Sequence, residues 1–163
     1  MVEVQRRFPA GTGRAVNADN LHITLAFLGS TPVERLCCIE EALAGVEMPG
    51  FTLQLDRLGH WRKPQVLWVG SETIPAPLTS LVDTVTMAAS HCGSQLDTRP
   101  FQAHLTLFRK VRKLPRDMPV MTSIQWPVVS FALVESDTAA SGVCYKVLKT
   151  WPLTSEAEGS ASG

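Results

Sequence analysis

The chain has 163 residues, 45% of them hydrophobic and 18% charged, and its 15 Lys plus Arg balance its 15 Asp plus Glu. That composition suits one compact domain, or two small lobes sharing a core, and excludes wholesale disorder. A net charge of zero excludes a global field that would draw the protein to a polyanion, so any nucleic-acid contact has to be local.

Residues 1–20 are poor in apolar periodicity and are punctuated by Pro9, Gly11, Gly13, Asn17 and Asn20, which predicts an irregular lead-in. No apolar run suggests a signal peptide or approaches the ~18 residues of a membrane span. Leu21 to Leu28 reads as a buried strand ending at Gly29. Thr31-Pro32-Val33-Glu34 then has the pattern of a helix start, with Thr31 as cap and Pro32 first in the helix, and Pro49-Gly50 stops that helix. Phe51 to Leu58 alternates as a strand, Arg57 to Gln65 reads as a loop, and Val66 to Val69 as a second strand antiparallel to the first.

Leu78, Leu81, Val82, Val85 and Ala89 mark a helix closed by Gly93. Ala103 to Phe108 is another strand, followed by the densest basic patch: Arg109, Lys110, Arg112, Lys113 and Arg116. Ser130 to Glu135 and Tyr145 to Leu148 are the last strands, linked by a flexible 136–142. The polar 154–163 is expected to be a disordered tail after a single domain over 1–153. Two helices among hairpin-like strand pairs point to an α+β fold with antiparallel sheets.

Cys37, Cys38, Cys92 and Cys144 form no CxxC pair and no zinc spacing with histidine. They are too sparse for the disulfide framework of a small secreted domain, which predicts reduced thiols and a cytoplasmic location.

Two strings repeat. His22-Ile23-Thr24-Leu25 and His104-Leu105-Thr106-Leu107 both fall in strand-like runs. Successive side chains in a strand point to opposite faces, so each His and its Thr share one face. Ile23, Leu25 and Phe27 then share the apolar face of the first run, as Leu105 and Leu107 do in the second. The repeat suggests two halves related by a pseudo-two-fold, with the polar faces meeting in a cleft. Two imidazoles without a nearby carboxylate or thiolate make a poor zinc site, which usually takes three protein ligands. No GxSxG elbow supports a serine nucleophile.

A pair of imidazoles does suit metal-free phosphoryl transfer. With a pKa near ~6.5, one can be neutral and accept a proton from water while the other is protonated and serves the departing oxygen. The threonine hydroxyls would donate hydrogen bonds to the non-bridging oxygens.

Asn20 to Gly29 (NLHITLAFLG) and Arg99 to Arg109 (RPFQAHLTLFR) resemble the two-histidine phosphoesterases of the LigT-like group, the 2′-5′ RNA ligases or RNA 2′,3′-cyclic phosphodiesterases. Pro49-Gly50-Phe51, Val66 to Gly70 and Tyr145 to Trp151 support the likeness, which runs from about Phe8 to Leu153. The resemblance implies a two-lobed α+β fold of antiparallel sheets with flanking helices and both motifs in a central cleft. It implies opening of a terminal RNA 2′,3′-cyclic phosphate to a 2′-phosphate, without cofactor, metal or ATP, and reversible 2′-5′ ligation. His22 would be the proton donor, His104 the acceptor, and Thr24, Thr106 and Arg109 the phosphate ligands. The implied partners are RNA 3′ ends bearing the cyclic phosphate, tRNA halves among them, with no membrane and with monomer or dimer equally compatible.

The family's usual first strand and helix are expected to be missing ahead of the lead-in, which would leave a sheet edge open. A non-catalytic binder of RNA ends, and an enzyme acting on small cyclic nucleotides or 2′-5′ oligoadenylates, are the alternatives. His60 and Trp61 fall in the loop before a strand, where an aromatic could stack on a terminal base but structural packing is the favoured role, and His91 reads as a helix-ending residue.

Overall fold

In a computed structural model of the chain, residues 1–97, 99–139 and 142–154 are described. The order of elements is α1 (Val2–Arg6), β1 (Arg14–Ala15), a 3₁₀ turn (Ala18–Asn20), α2 (Val33–Leu43), β2 (Phe51–Leu55), β3 (Arg57–Trp61), β4 (Val66–Gly70), α3 (Ala76–His91), β5 (His104–Arg109), β6 (Ile124–Val128), β7 (Ser130–Ala139) and β8 (Gly142–Pro152). The pairs β1–β5, β3–β4, β4–β5 and β7–β8 are antiparallel, and the class is α+β. Two compact units divide the chain: 1–24, 54–73 and 102–126 form the first, and 25–53, 74–101 and 127–163 the second.

The first unit is built on a sheet of order β1-β5-β4-β3. Alternation along β4 and β5 sends Leu67, Val69, Leu105 and Leu107 to one face, all at most 1% exposed. Phe8 closes on Phe108 from the lead-in, at 5.3 Å between ring centroids. The lead-in is more ordered than its composition predicts. Gln5 is the reason: its Nε2 donates to the carbonyls of Val16 and Leu107, both at 2.9 Å, tying α1 to β1 and β5.

In the second unit α2 and α3 bury Ile39, Leu43, Leu78, Leu81 and Val82, while β7 and β8 form a long hairpin in which Phe131 stacks on Trp151. Both hairpin strands extend further than alternation alone predicts, so the linker expected at 136–142 is largely strand up to Ala139 and from Gly142. Thr154, expected to open the tail, donates its N–H to Met48 and accepts from Gly50; the rest of the expected tail lies outside the described residues.

Three further expectations need correction. The strand expected at Leu21 to Leu28 reduces to one bridge, Ile23 to Leu105. Continuing the β1–β5 register would bring Ala18 opposite Leu105, but the excursion through the 3₁₀ turn puts Ile23 there instead. Phe27 is not a core residue; it is 73% exposed. Thr31 does not cap α2: its hydroxyl donates to the carbonyls of Leu28 and Gly29, and Pro32 occupies the cap position.

The loop expected at Arg57 to Gln65 is also mostly strand. Arg57 to Trp61 pairs with Val66 to Gly70, leaving only 62–65 as the hairpin tip. The cysteines are not all reduced. Cys38 and Cys92 are joined in a disulfide, with their Cα atoms 5.8 Å apart, because α2 and the end of α3 pack together. Cys37 and Cys144 are free thiols. Sequence separation of 54 gives no hint of such a pair. Among the described residues no helix is long and apolar enough to cross a membrane.

Candidate active site

Both His-x-Thr motifs fall in the first unit. Ile23 and Leu105 are antiparallel partners, so the register one residue either way sets Thr24 opposite His104 and His22 opposite Thr106. Partners directly opposite share a face, and Leu105 turns into the core at 1% exposure. The four polar side chains therefore stand together on the other face. An antiparallel bridge has a local two-fold axis, and the motifs obey it in detail. Nδ1 of His22 bonds the carbonyl of Asn20 at 2.7 Å, and Nδ1 of His104 bonds the carbonyl of Gln102 at 2.8 Å. A carbonyl can only accept, so each Nδ1 carries the proton of the neutral ring.

Arg109 reaches the same face by an irregularity. Five residues after His104, strict alternation would put it on the core side. Opposite β4, however, the partners run Gly70–His104, Val69–Leu105, Trp68–Thr106, then Leu67–Phe108 and Val66–Arg109. Leu107 is an extra residue, and such a bulge resets the phase of everything beyond it. Leu107 and Phe108 are accordingly both buried, while Arg109 shares the face of Trp68 and Thr106. The bulge is held by the Leu107 carbonyl, which accepts from the Val16 N–H and from Gln5. After Arg109 the chain turns sharply at Lys110, whose φ is 60°, and Val111 re-enters the core.

The other side of His104 is aromatic. Gly59 and Trp61 of β3 lie opposite Trp68 and Val66 and so belong to the same face. Trp61 meets the His104 ring edge to face at 4.6 Å between centroids and meets Trp68 at 5.3 Å. The Trp68 indole lies over Gly59, where a Cβ would come within 2.1 Å of it. Only glycine leaves room for that ring.

His60 and Trp61, neighbours in the chain, are separated by the pleat: His60 points the other way, and its Nε2 bonds the Val111 carbonyl at 2.9 Å. Arg99, just ahead of the second motif, pairs with Asp97 and holds that carboxyl below its usual range. His91 is the last residue of α3, as expected. Among the described residues no three His, Cys, Asp or Glu side chains converge as metal ligands.

Trp61 is weighed from the sequence only as a possible stacking residue, and Trp68, Gly59, Gln5 and Arg14 are not singled out as site residues there. A tryptophan at alternate positions of two paired strands is a weak signal, and it becomes legible only once the hairpin register is known.

The family described as LigT like Phosphoesterase matches residues 2–68. RNA 2′,3′-cyclic phosphodiesterase of Escherichia coli K12 is 36% identical over 147 residues, covering 90% of this chain and 84% of the relative. The Archaeoglobus fulgidus protein of the same name is 32% identical, covering 85% and 82%. The crystal structure of E. coli LigT complexed with 3′-AMP superposes with a TM-score of 0.84 at 33% identity, covering 94% and 93% of the two chains. Agreement in sequence along nearly the whole chain, and in fold with the E. coli protein, means that this chain belongs to the LigT-like phosphoesterase family.

Proposed function

We propose that the protein hydrolyses terminal 2′,3′-cyclic phosphates of RNA to 2′-phosphates, with no metal or ATP. The observation that carries this reading is the bridged register of the motifs, which gathers two Nε2 atoms and two hydroxyls on one face. The names and structures of the relatives support the substrate class. His104 takes a proton from water at Nε2 as the water oxygen bonds to phosphorus. The bond from phosphorus to the ribose 3′ oxygen breaks, and His22 supplies the proton that oxygen needs. Each Nδ1–H bond to a carbonyl keeps its ring in the tautomer and orientation this exchange requires. Thr24, Thr106 and Arg109 donate hydrogen bonds to the non-bridging oxygens, whose charge grows in the transition state.

The same groups run the same ring opening when a 5′-hydroxyl replaces water, with the bond from phosphorus to the 3′ oxygen again breaking, which gives a 2′-5′ linkage; re-closure of the ring is its reverse. The RNA ends of cleaved tRNA are one source of such substrates. Phosphorus NMR of a cyclic-phosphate oligonucleotide incubated with the protein tests the reading. A 2′-phosphomonoester is expected, formed equally well with a chelator present. His22→Ala and His104→Ala are each expected to abolish it, and activity retained in both variants would sink the mechanism. Saturable binding of a 2′-phosphate end without turnover by the wild type would favour a non-catalytic binder instead.

A further inference from the structure

The zero net charge conceals a division. The first unit carries eleven of the Lys and Arg residues against five Asp and Glu, and the second carries four against ten. The unit with both motifs is thus strongly basic and its companion strongly acidic.

The cations are not evenly spread over that unit. Arg14 of β1 is the direct antiparallel partner of Arg109 of β5. Partners share a face, so Arg14 also stands on the face of His104 and Thr106. Both arginines are exposed. Opposed across neighbouring strands, the two arginines concentrate positive charge at one place on that face. The close approach is built in: a Cβ at Gly13 would come within 2.7 Å of the Arg109 carbonyl and 2.8 Å of the Val111 side chain. Only a glycine lets β1 lie down there and bring Arg14 alongside.

Two residues of rise along the sheet separate Thr106 from Arg109, and one strand spacing separates Arg109 from Arg14. Arg14 is therefore about 8 Å from Thr106, Cα to Cα. That is one step beyond the reacting phosphate, with Arg109 between. We propose that Arg14 grips the phosphodiester on the 5′ side of the terminal nucleotide, so that the first unit favours an oligonucleotide end over a lone nucleotide. This deepens the phosphodiesterase reading and rests on it. A guanidinium suits the task, because its planar fork binds two phosphate oxygens at once. Arg112, Lys113 and Arg116, which follow Arg109 in the chain, are exposed as well.

The test couples the arginine to the charge it is assigned. KM and kcat are measured for wild type and Arg14→Gln on an oligonucleotide ending in a 2′,3′-cyclic phosphate. The same is done on its analogue whose last internucleotide linkage is an uncharged methylphosphonate. On the natural oligonucleotide Arg14→Gln is expected to raise KM about tenfold with little change in kcat, and to flatten the salt dependence of binding by about 0.7 in log–log slope. On the neutral analogue wild type and variant are expected to differ by less than twofold, and Arg14→Lys to recover part of the loss.

An equal loss on both substrates, or none on either, overturns the proposal. Should the wild type turn over neither substrate, the phosphodiesterase reading fails. Equilibrium binding of the corresponding 2′-phosphate-ended pair still shows, by the same difference, whether Arg14 recognises the linkage.

Discussion

Gly59→Ala is a one-carbon change with a calculable consequence. The added Cβ would stand 2.1, 2.4 and 2.5 Å from Cζ2, Cε2 and Cη2 of Trp68. Carbon atoms rest about 3.5 Å apart or more, so the indole has to withdraw by about 1.4 Å. It has little freedom to do so. Trp68 is 4% exposed, and Trp61 and His104 lie beyond it at 5.3 and 6.3 Å between centroids.

Forced overpacking of this kind costs about 1–3 kcal/mol, which for a chain this long lowers Tm by roughly 2–12 °C. The displaced ring also pushes on the aromatic contacts that hold the His104 imidazole, and a misplacement of about 1 Å at a reacting group can cost on the order of 100-fold in rate. A thermal melt and kcat on a cyclic-phosphate oligonucleotide read the two effects separately. Adding Trp68→Phe removes the clashing atoms, so the double variant should be more stable than the sum of the single losses predicts. Wild-type Tm and kcat in Gly59→Ala, or strict additivity in the double variant, would refute the reasoning.

Gln5→Ala removes two side-chain hydrogen bonds to the Val16 and Leu107 carbonyls, a loss of about 1–3 kcal/mol in a urea titration. Gln5→Glu sets a carboxylate against both carbonyls and should be the worse of the two; the opposite order would show that Gln5 does not hold the bulge. Thr24→Val and Thr106→Val each delete one hydroxyl at nearly constant volume and should lower kcat/KM by roughly 10- to 100-fold. Unchanged kinetics in either would take that hydroxyl out of the transition state. Cys38→Ser with Cys92→Ser opens a loop of 54 residues and should cost at most about 4 kcal/mol by the chain-entropy account. Treating the wild type with reductant should lower its urea midpoint to that of the double variant, and coincident midpoints with and without reductant would argue against the pairing.

Much of the site is local and therefore legible in the chain. His and Thr two apart on a strand must share a face, whatever the strand pairs with, and Leu105 and Leu107 do occupy the buried one. The helix from Ala76 to His91 follows from its apolar spacing in the same way. Alternation misled at Phe27 because the run from Leu21 stays on β5 for one bridge only. A periodic pattern says which residues could face a core and not how far the pairing continues.

The sequence by itself determined the α+β class and the shared face of each His-x-Thr pair, since these depend on residue type and short spacing. Tertiary structure alone decided the rest. The bulge at Leu107 turns Arg109 to the motif face because phase in a sheet belongs to the pairing of strands and not to one strand. Arg14 comes beside Arg109, and Trp61 beside His104, through partners distant in the chain. The separation of charge between the units follows from which segments pack together, which a count over the whole chain averages to zero.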